Sequence, residues 1–193
     1  FYTTDIIETS IYKSLFKNYF KINNYDYDLN ENCYDLIYSN NFIHLFQNFE
    51  KLLLNIKSSL KNNGLLIAAI PNRNNAYQMI NSMYETDLEL YGGAYTRANP
   101  VPDLDLIISL LNKLKYYMPT INNDKFIIEY SNFSALINDL RSTRLSYCYD
   151  DKKKNFENKR YFELLEKKYK QKYYYNKKFN FEISYNIVTA WKN

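Results

Sequence analysis

The sequence predicts an α/β fold in which helices cover both faces of a mostly parallel sheet. The segment from Tyr34 to Pro71 reads as a strand (Tyr34–Ser39), a helix (about Leu45–Lys61) and a second strand (Leu65–Ile70). The second strand, LLIAAI, is apolar at every position, which is typical of a parallel strand buried on both faces. Short loops join the three elements, and this order predicts a right-handed βαβ unit.

The helix in this unit is predicted from its apolar periodicity. Apolar residues at positions 45, 49, 52, 53, 56 and 60 fall on one helical face. Gly64 follows the last of them and is predicted to end the helix in a left-handed conformation. The alternative, two buried strands of an antiparallel sandwich, is disfavoured because the helix between the strands is long and well patterned.

The rest of the chain supplies further strands and helices. Four more strands are predicted, at Phe1–Ile6, Tyr19–Asn23, Lys125–Tyr130 and Phe179–Trp191. Five more helices are predicted, at 7–18, within 72–91 up to Gly92, at Asp103–Tyr116, at Asn132–Ser142 after a cap at Ser131, and at about Asn158–Tyr173. The last strand follows a polar turn and not a crossover helix, so we expect it to pair antiparallel.

Length and composition exclude several classes of protein. The chain has 193 residues, enough for one domain, and begins at Phe1. Its longest apolar run has six residues, far short of the ~20 that span a bilayer. Cys33 and Cys148 are too few and too far apart for a disulfide framework, and His44 alone cannot complete a Cys/His zinc cluster. No local signature supports a Cys–His nucleophile pair.

Positive charge is concentrated near the carboxyl terminus. Residues 151–178 carry eleven Lys or Arg and four acids, a net charge of +7 in a chain whose total is +4. Such a segment, and 152–178 in particular, can bind nucleic acid or an acidic partner. The interspersed acids and the helical spacing of its apolar residues favour a solvated helix face.

Several motifs along the chain resemble those of class I S-adenosylmethionine (SAM)-dependent methyltransferases. The motifs are TTDI (3–6), YDLIYSNNFIHLFQNFEKLLLNIKSSLKNNGLLIAAIP (34–71), ETDLELYGGAYTRANPVPDLDLIISLL (85–111), FSALINDLR (133–141) and ISYNIVTAWK (183–192). Within that class they look most like the mitochondrial complex I assembly factor branch, of arginine-hydroxylase type, and its alphaproteobacterial relatives. The resemblance implies a Rossmann-like sheet in a single domain over 1–193, with a family-specific insertion at 72–101. The family's first strand and glycine-rich loop would precede Phe1.

The resemblance also implies SAM as cofactor and suggests which residues hold it. Asp5, at the end of a strand, would accept both ribose hydroxyls, or it would cap a helix. Asn23 or Asp26 would contact the adenine, or either is a polar loop residue. Ser39 and Asn40, which follow the fourth strand of the family fold together with Asn41, would line the methionine end.

Candidate residues for the chemistry lie outside that cofactor set. His44 matches the family's histidine and would orient or deprotonate an acceptor, or it is structural. Arg97, Asp139 and Arg141 lie in family-specific motifs; an Arg–Asp pair would pin the insertion, or Arg141 would recognise a carboxylate or a protein partner.

The resemblance implies an enzyme that modifies a protein substrate during complex I assembly, by methyl transfer or arginine hydroxylation. The alternative is a catalytically decayed subunit with a structural role in a larger mitochondrial complex, including a ribonucleoprotein. The expected compartment is the mitochondrial matrix for a eukaryotic protein and the cytoplasm for a bacterial one.

Overall fold

The computed structural model describes residues 2–5, 18–21, 30–46, 48–142 and 157–193, the first two stretches as backbone alone. The strands are β1 (Tyr2–Asp5), β2 (Asn18–Lys21), β3 (Tyr34–Asn40), β4 (Leu60–Pro71), β5 (Tyr117–Tyr130), β6 (Tyr174–Tyr175) and β7 (Lys178–Trp191). The helices are α1 (Phe49–Ser59), α2 (Tyr77–Tyr91), α3 (Leu104–Lys113), α4 (Phe133–Ser142) and α5 (Lys159–Tyr173), with a 3₁₀ turn at Ile43–Leu45. The predicted helix at 7–18 lies outside the described residues.

The main sheet has the strand order β3-β4-β7-β5, and β6 pairs with β7. Strands β3 and β4 are parallel, with Tyr38 opposite Ile67, which confirms the βαβ unit. Strand β7 runs antiparallel to both β4 and β5, as predicted for the last strand. Strands β1 and β2 form a separate parallel pair in which Asp5 lies opposite Lys21.

Two hydrophobic clusters cover opposite faces of β7. Val188 and Ala190 pack in the first cluster with apolar residues of α1, β4 and α3. Phe179 and Phe181 pack in the second with apolar residues of α2, α4 and α5. Side chains alternate between the faces of a strand, so the two pairs point in opposite directions. The prediction of helices on both faces is therefore confirmed.

The helices cover the second face of the sheet only in part. Leu66, Ala68 and Ile70 of β4 are fully buried, whereas the alternate residues of the same run are half-buried. On β3, which pairs with that strand, Leu36 and Tyr38 are 53% and 64% exposed. The strand Leu65–Ile70, predicted to be covered on both faces, is therefore fully covered on one face and half-covered on the other.

Gly64 has a different role from the one predicted. Helix α1 ends at Ser59, and Leu60 already has an extended backbone, so Gly64 lies within β4. A Cβ on Gly64 would lie 2.8 Å from the carbonyl oxygen of Lys61. The position therefore needs glycine for a close backbone approach, not for a helix stop.

Helix ends are otherwise set by side chains close to the predicted positions. Gly92 ends α2 in a left-handed conformation (φ 70°), as predicted. Asn158 accepts a hydrogen bond from the Tyr161 amide at the start of α5. For α4, the Ala135 amide donates to Asn132 Oδ1, so the predicted cap at Ser131 was wrong by one residue. Among the described residues, no helix is both long enough and apolar enough to cross a membrane.

Candidate functional site

A cavity of about 380 Å³ opens where β3 and β4 end, between α2, α4 and α5. Its walls are largely apolar and include Met79, Ile80, Met83, Ile137, Leu140 and Phe162. Polar and charged groups also reach it, from His44, Arg73, Asn75, Arg97, Arg141 and Glu157. An apolar cavity with a few polar groups, beyond the carboxyl ends of parallel strands, is the usual form of a ligand site in α/β proteins.

His44 contributes a neutral, buried imidazole to this cavity. The residue lies in the 3₁₀ turn after β3 and is 7% exposed. Burial lowers the pKa of His44 from 6.5 to about 4. Among the described residues, its Nδ1 has no hydrogen-bond partner. At neutral pH the imidazole is therefore uncharged and able to accept or donate a proton.

The loop after β4 is held against β7 by side-chain hydrogen bonds. Asn72 Nδ2 donates to Ser184 Oγ at 2.7 Å, and the Ser184 amide donates to Asn75 Oδ1 at 3.0 Å. The Glu182 amide donates to Gln78 Oε1 at 2.6 Å. These bonds fix the floor of the cavity, because Asn72 and Asn75 both line it.

Arg97 holds the segment after α2 in place along the cavity wall. Its Nε donates to Asp87 Oδ2 at 2.9 Å, its Nη2 bonds Asp87 Oδ1, and the same nitrogen donates to Glu157 Oε1 at 2.8 Å. Burial by itself lowers the pKa of Arg97, but the hydrogen bonds to the two carboxylates outweigh it and the net shift is upward. The guanidinium thus stays charged and links α2 to the residue just before α5.

The other two arginines of the cavity differ in their partners. Arg73 Nη2 donates to Asp103 Oδ2 at 2.6 Å. Arg141, which is exposed at the end of α4, has its guanidinium over the ring of Phe162, 5.5 Å from the centroid. Within the described part of the chain, Arg141 has no carboxylate partner.

The fold brings two of the predicted site residues together. His44 and Arg141 line the same cavity, although almost a hundred positions separate them in sequence. Ser39 and Asn40 do not line it: Ser39 is buried at the end of β3, and Asn40 is exposed. Asp5 ends β1 as predicted.

Other predicted residues cannot be placed, or have a different partner. Asn23 and Asp26 lie outside the described residues. Asp139 accepts a hydrogen bond from the Tyr130 hydroxyl, so Asp87 and not Asp139 is the aspartate that binds Arg97. The Arg97–Asp87 pair lies within the predicted insertion, so it does not join the insertion to the sheet as expected of an Arg–Asp pair.

Four polar residues at or near the cavity were not predicted from the sequence: Asp87, Glu157, Asn75 and Gln78. For Asp87 a signal was available, because it lies four residues after Met83 on the apolar face of α2, where a charged residue is unusual. The three polar residues besides Asp87 lie at or near helix starts, where polar residues are common, and their spacing did not distinguish them.

The predicted basic helix is confirmed as α5, and part of its charge is neutralised. Lys168 Nζ lies 2.6 Å from Glu89 Oε2, and Lys172 pairs with Glu85, so two of its lysines face acids of α2. Arg160, Lys167 and Lys170 remain exposed. Helix α5 therefore packs as an ordinary amphipathic helix with a basic outer surface.

Comparison with known proteins relates this geometry to a family. Residues 4–68 match the family model of a methyltransferase domain. The mitochondrial arginine-hydroxylase NDUFAF5 of Dictyostelium discoideum is 29% identical over 108 residues, which cover 56% of this chain and 25% of that protein. The protein of the same name from Danio rerio is 25% identical over 118 residues, which cover 61% of this chain and 37% of that protein. The chain thus spans well under half the length of these relatives.

Solved structures agree with the fold. YcgJ of Bacillus subtilis superposes with a TM-score of 0.59 at 8% identity, covering 100% of this chain and 82% of that one. BH2331 of Bacillus halodurans superposes with a TM-score of 0.50 at 11% identity, covering 94% of this chain and 75% of that one. These superpositions show a Rossmann-like α/β fold, and residues 4–68 resemble a methyltransferase domain. In sequence, the chain is similar to the arginine hydroxylases named NDUFAF5 over the matched residues.

Proposed function

We propose that this chain belongs to a SAM-dependent enzyme that modifies a protein substrate during respiratory complex I assembly. The observation that carries the proposal is the cavity at the ends of β3 and β4, where neutral His44 and charged Arg141 share apolar walls. The relatives' names support an arginine acceptor and a mitochondrial location, since they describe mitochondrial arginine hydroxylases. The matrix is the compartment we propose.

The residues that would hold SAM are the ones that the sequence predicts for it. Ser39 Oγ is buried at the carboxyl end of β3 and has no hydrogen-bond partner among the described residues, which fits a polar ligand there. Asn40 follows Ser39, and Asp5 ends a parallel strand as a ribose-binding carboxylate does. Asn23 or Asp26 would complete the site at the adenine. When bound, SAM supplies an electrophilic methyl group.

The chain's own residues would orient the acceptor and exclude water. Methyl transfer depends mainly on alignment in a dry site, and the apolar walls of the cavity supply that environment. His44 would take a proton from the acceptor or hold it by a hydrogen bond, since its imidazole is neutral. Arg141 would position the acceptor from the open side. An arginine in the same cavity could be hydroxylated only with molecular oxygen and a two-electron reductant, which SAM does not supply.

Mass spectrometry of complex I subunits tests this proposal. Cells lacking the protein and cells expressing its His44→Asn variant would be compared with wild type. We expect one subunit to lose the mass of a methyl group or of one oxygen atom in both. A methyl difference identifies methyl transfer and an oxygen difference identifies hydroxylation. Unchanged subunit masses would contradict an enzymatic role.

The alternative is a decayed enzyme kept as a structural subunit. The half-covered sheet face at Leu36 and Tyr38, and the exposed cations of α5, support this alternative because both are surfaces on which a partner can pack. Charge reversal at Lys167 and Lys170 would then release co-purifying protein or RNA. Glu166→Gln, in the same helix, is the matched control. If the charge-reversed variant kept all co-purifying partners, the structural role would be contradicted.

A further inference from the structure

We infer that Tyr161 is a substrate-binding residue of the cavity, whose hydroxyl oxygen accepts a hydrogen bond from the guanidinium group of an arginine acceptor. The inference rests on the proposed function, because it assigns a residue to the acceptor of that same site. The relatives' names describe arginine hydroxylases but point to no residue that binds the arginine.

The Tyr161 hydroxyl is a buried polar group that the described part of the chain leaves unused. Tyr161 lies in the first turn of α5, lines the cavity and is 1% exposed. Among the described residues, its hydroxyl has no hydrogen-bond partner. By contrast, the buried Tyr116 donates to the Leu53 carbonyl at 2.8 Å. The buried Tyr169 likewise donates to the Asn180 carbonyl at 2.6 Å. A buried hydroxyl without a partner is costly, so its presence at a cavity indicates a ligand that supplies the missing bond.

A second buried group at the cavity offers the same kind of contact. His44 is neutral at pH 7, so one nitrogen of its imidazole carries no proton and accepts hydrogen bonds. The phenol oxygen of Tyr161 accepts hydrogen bonds as well. A guanidinium group has five N–H donors and no acceptor, so it is a ligand that suits both side chains.

The charge buried next to Tyr161 favours a cation. Arg97 is bonded to Asp87 and Glu157, and one cation with two carboxylates leaves a net charge of −1. These three side chains are 14%, 0% and 10% exposed, so water screens the excess negative charge poorly. The guanidinium carbon of Arg97 lies 5.0 Å from the centroid of the Tyr161 ring, so the cluster lies beside the ring that carries the unused hydroxyl.

The positive charges at the cavity do not cancel this preference. Arg73 is paired with Asp103, and both side chains are exposed. Arg141 is exposed at the end of α4. Water and salt screen exposed charges, whereas the excess charge beside Tyr161 is buried. A cationic donor therefore gains more in this cavity than a neutral or anionic group of the same size.

Two probes of equal shape test the inference by ligand-observed NMR on the intact protein. N-acetylarginine methylamide carries the guanidinium, and N-acetylcitrulline methylamide carries a neutral urea in its place. We expect the arginine probe to bind about tenfold tighter than the citrulline probe. Tyr161→Phe should weaken the arginine probe about tenfold and the citrulline probe about threefold at most. Tyr84→Phe, an exposed tyrosine of α2 outside the cavity, is the matched control and should change neither.

The negative charge is tested with a second pair of variants. Glu157→Gln should remove the preference for the arginine probe, because the cluster around Arg97 then carries no net charge. Glu163→Gln changes the charge of the whole protein equally at an exposed position of α5, and it should keep the preference.

Thermal unfolding of the Tyr161→Phe variant separates a binding role from a structural one. Removal of an unpaired buried hydroxyl should raise the midpoint of unfolding by about 2–4 °C while it weakens the arginine probe. A lower midpoint with unchanged binding of the arginine probe would identify a structural tyrosine and overturn the inference.

Equal binding of the two probes to wild type would also overturn the inference, as would binding of neither probe at millimolar concentration. S-adenosylhomocysteine titrated into the same samples separates these results from the proposed function. Cofactor binding without a preference for the arginine probe overturns the inference alone. A preference that depends on Tyr161, without cofactor binding, supports the inferred contact and contradicts the proposed enzyme.

Discussion

Arg97 Nη2 lies 2.8 Å from Glu157 Oε1, and the same guanidinium is bonded to Asp87 on α2. One arginine therefore joins α2, which lines the cavity, to Glu157, which lies just before α5. All three side chains are largely buried, so each charge depends on the others for stabilisation.

Removing this guanidinium should strongly destabilise the protein. Arg97→Met leaves two carboxylates buried without their cation, and we expect a loss of about 3–5 kcal/mol in the free energy of unfolding. Arg97→Lys should recover little of it, because one ammonium group cannot reproduce the fork geometry. Urea denaturation measures the free energy of unfolding of both variants.

Arg73→Met is the control, because Arg73 also pairs with an aspartate but is largely exposed. We expect it to cost less than about 1 kcal/mol. Equal losses for Arg73→Met and Arg97→Met would contradict the structural role assigned to the buried cluster.

Two glycine substitutions should have opposite consequences. Gly64→Ala places a Cβ 2.8 Å from the Lys61 carbonyl oxygen, so the backbone must shift; we expect about 1–3 kcal/mol of destabilisation. At Gly93 an added Cβ meets nothing within 4 Å, so Gly93→Ala should be neutral or slightly stabilising. Thermal unfolding of both variants checks the difference, and a harmless Gly64→Ala would show that β4 does not approach so closely.

His44 should make the stability depend on pH. Its pKa is lowered from 6.5 to about 4 in the folded protein, so the unfolded state binds more protons between these values. The contribution of the neutral imidazole is complete above pH 6.5 and is lost as the pH falls towards 4. Between pH 7 and 4.5, wild type should lose about 2 kcal/mol more than His44→Asn.

Urea denaturation of both proteins at several pH values measures this difference, and the variant corrects for carboxylates that titrate in the same range. If the free energy of unfolding of wild type and variant changed equally with pH, the imidazole would be solvated and the prediction would be contradicted.

The parts of the fold that follow from local patterns were predicted well. Strands β3 and β4 with α1 between them have clear periodicity, and their parallel pairing follows from the short loops. Gly64 was misread because a glycine after an apolar run suits both a helix stop and a close backbone approach. Periodicity also could not show that Leu36 stays exposed, since exposure depends on which helices cover the sheet.

The candidate site was predicted only as separate residues. His44 and Arg141 were identified from their motifs, but their shared cavity depends on the packing of α4 beside the loop after β4. The partner of Arg97 was missed because a buried ion pair between a helix and its following segment leaves no periodic signal. A charged residue on the apolar face of α2 was the only clue.

Calorimetric titration of the intact protein with S-adenosylhomocysteine tests the central proposal most directly. We predict saturable binding with a micromolar dissociation constant, weakened by Ser39→Ala, whose hydroxyl would contact the cofactor, and unchanged by the exposed Ser131→Ala. No heat at ligand concentrations far above micromolar, from a protein shown to be folded, would contradict it.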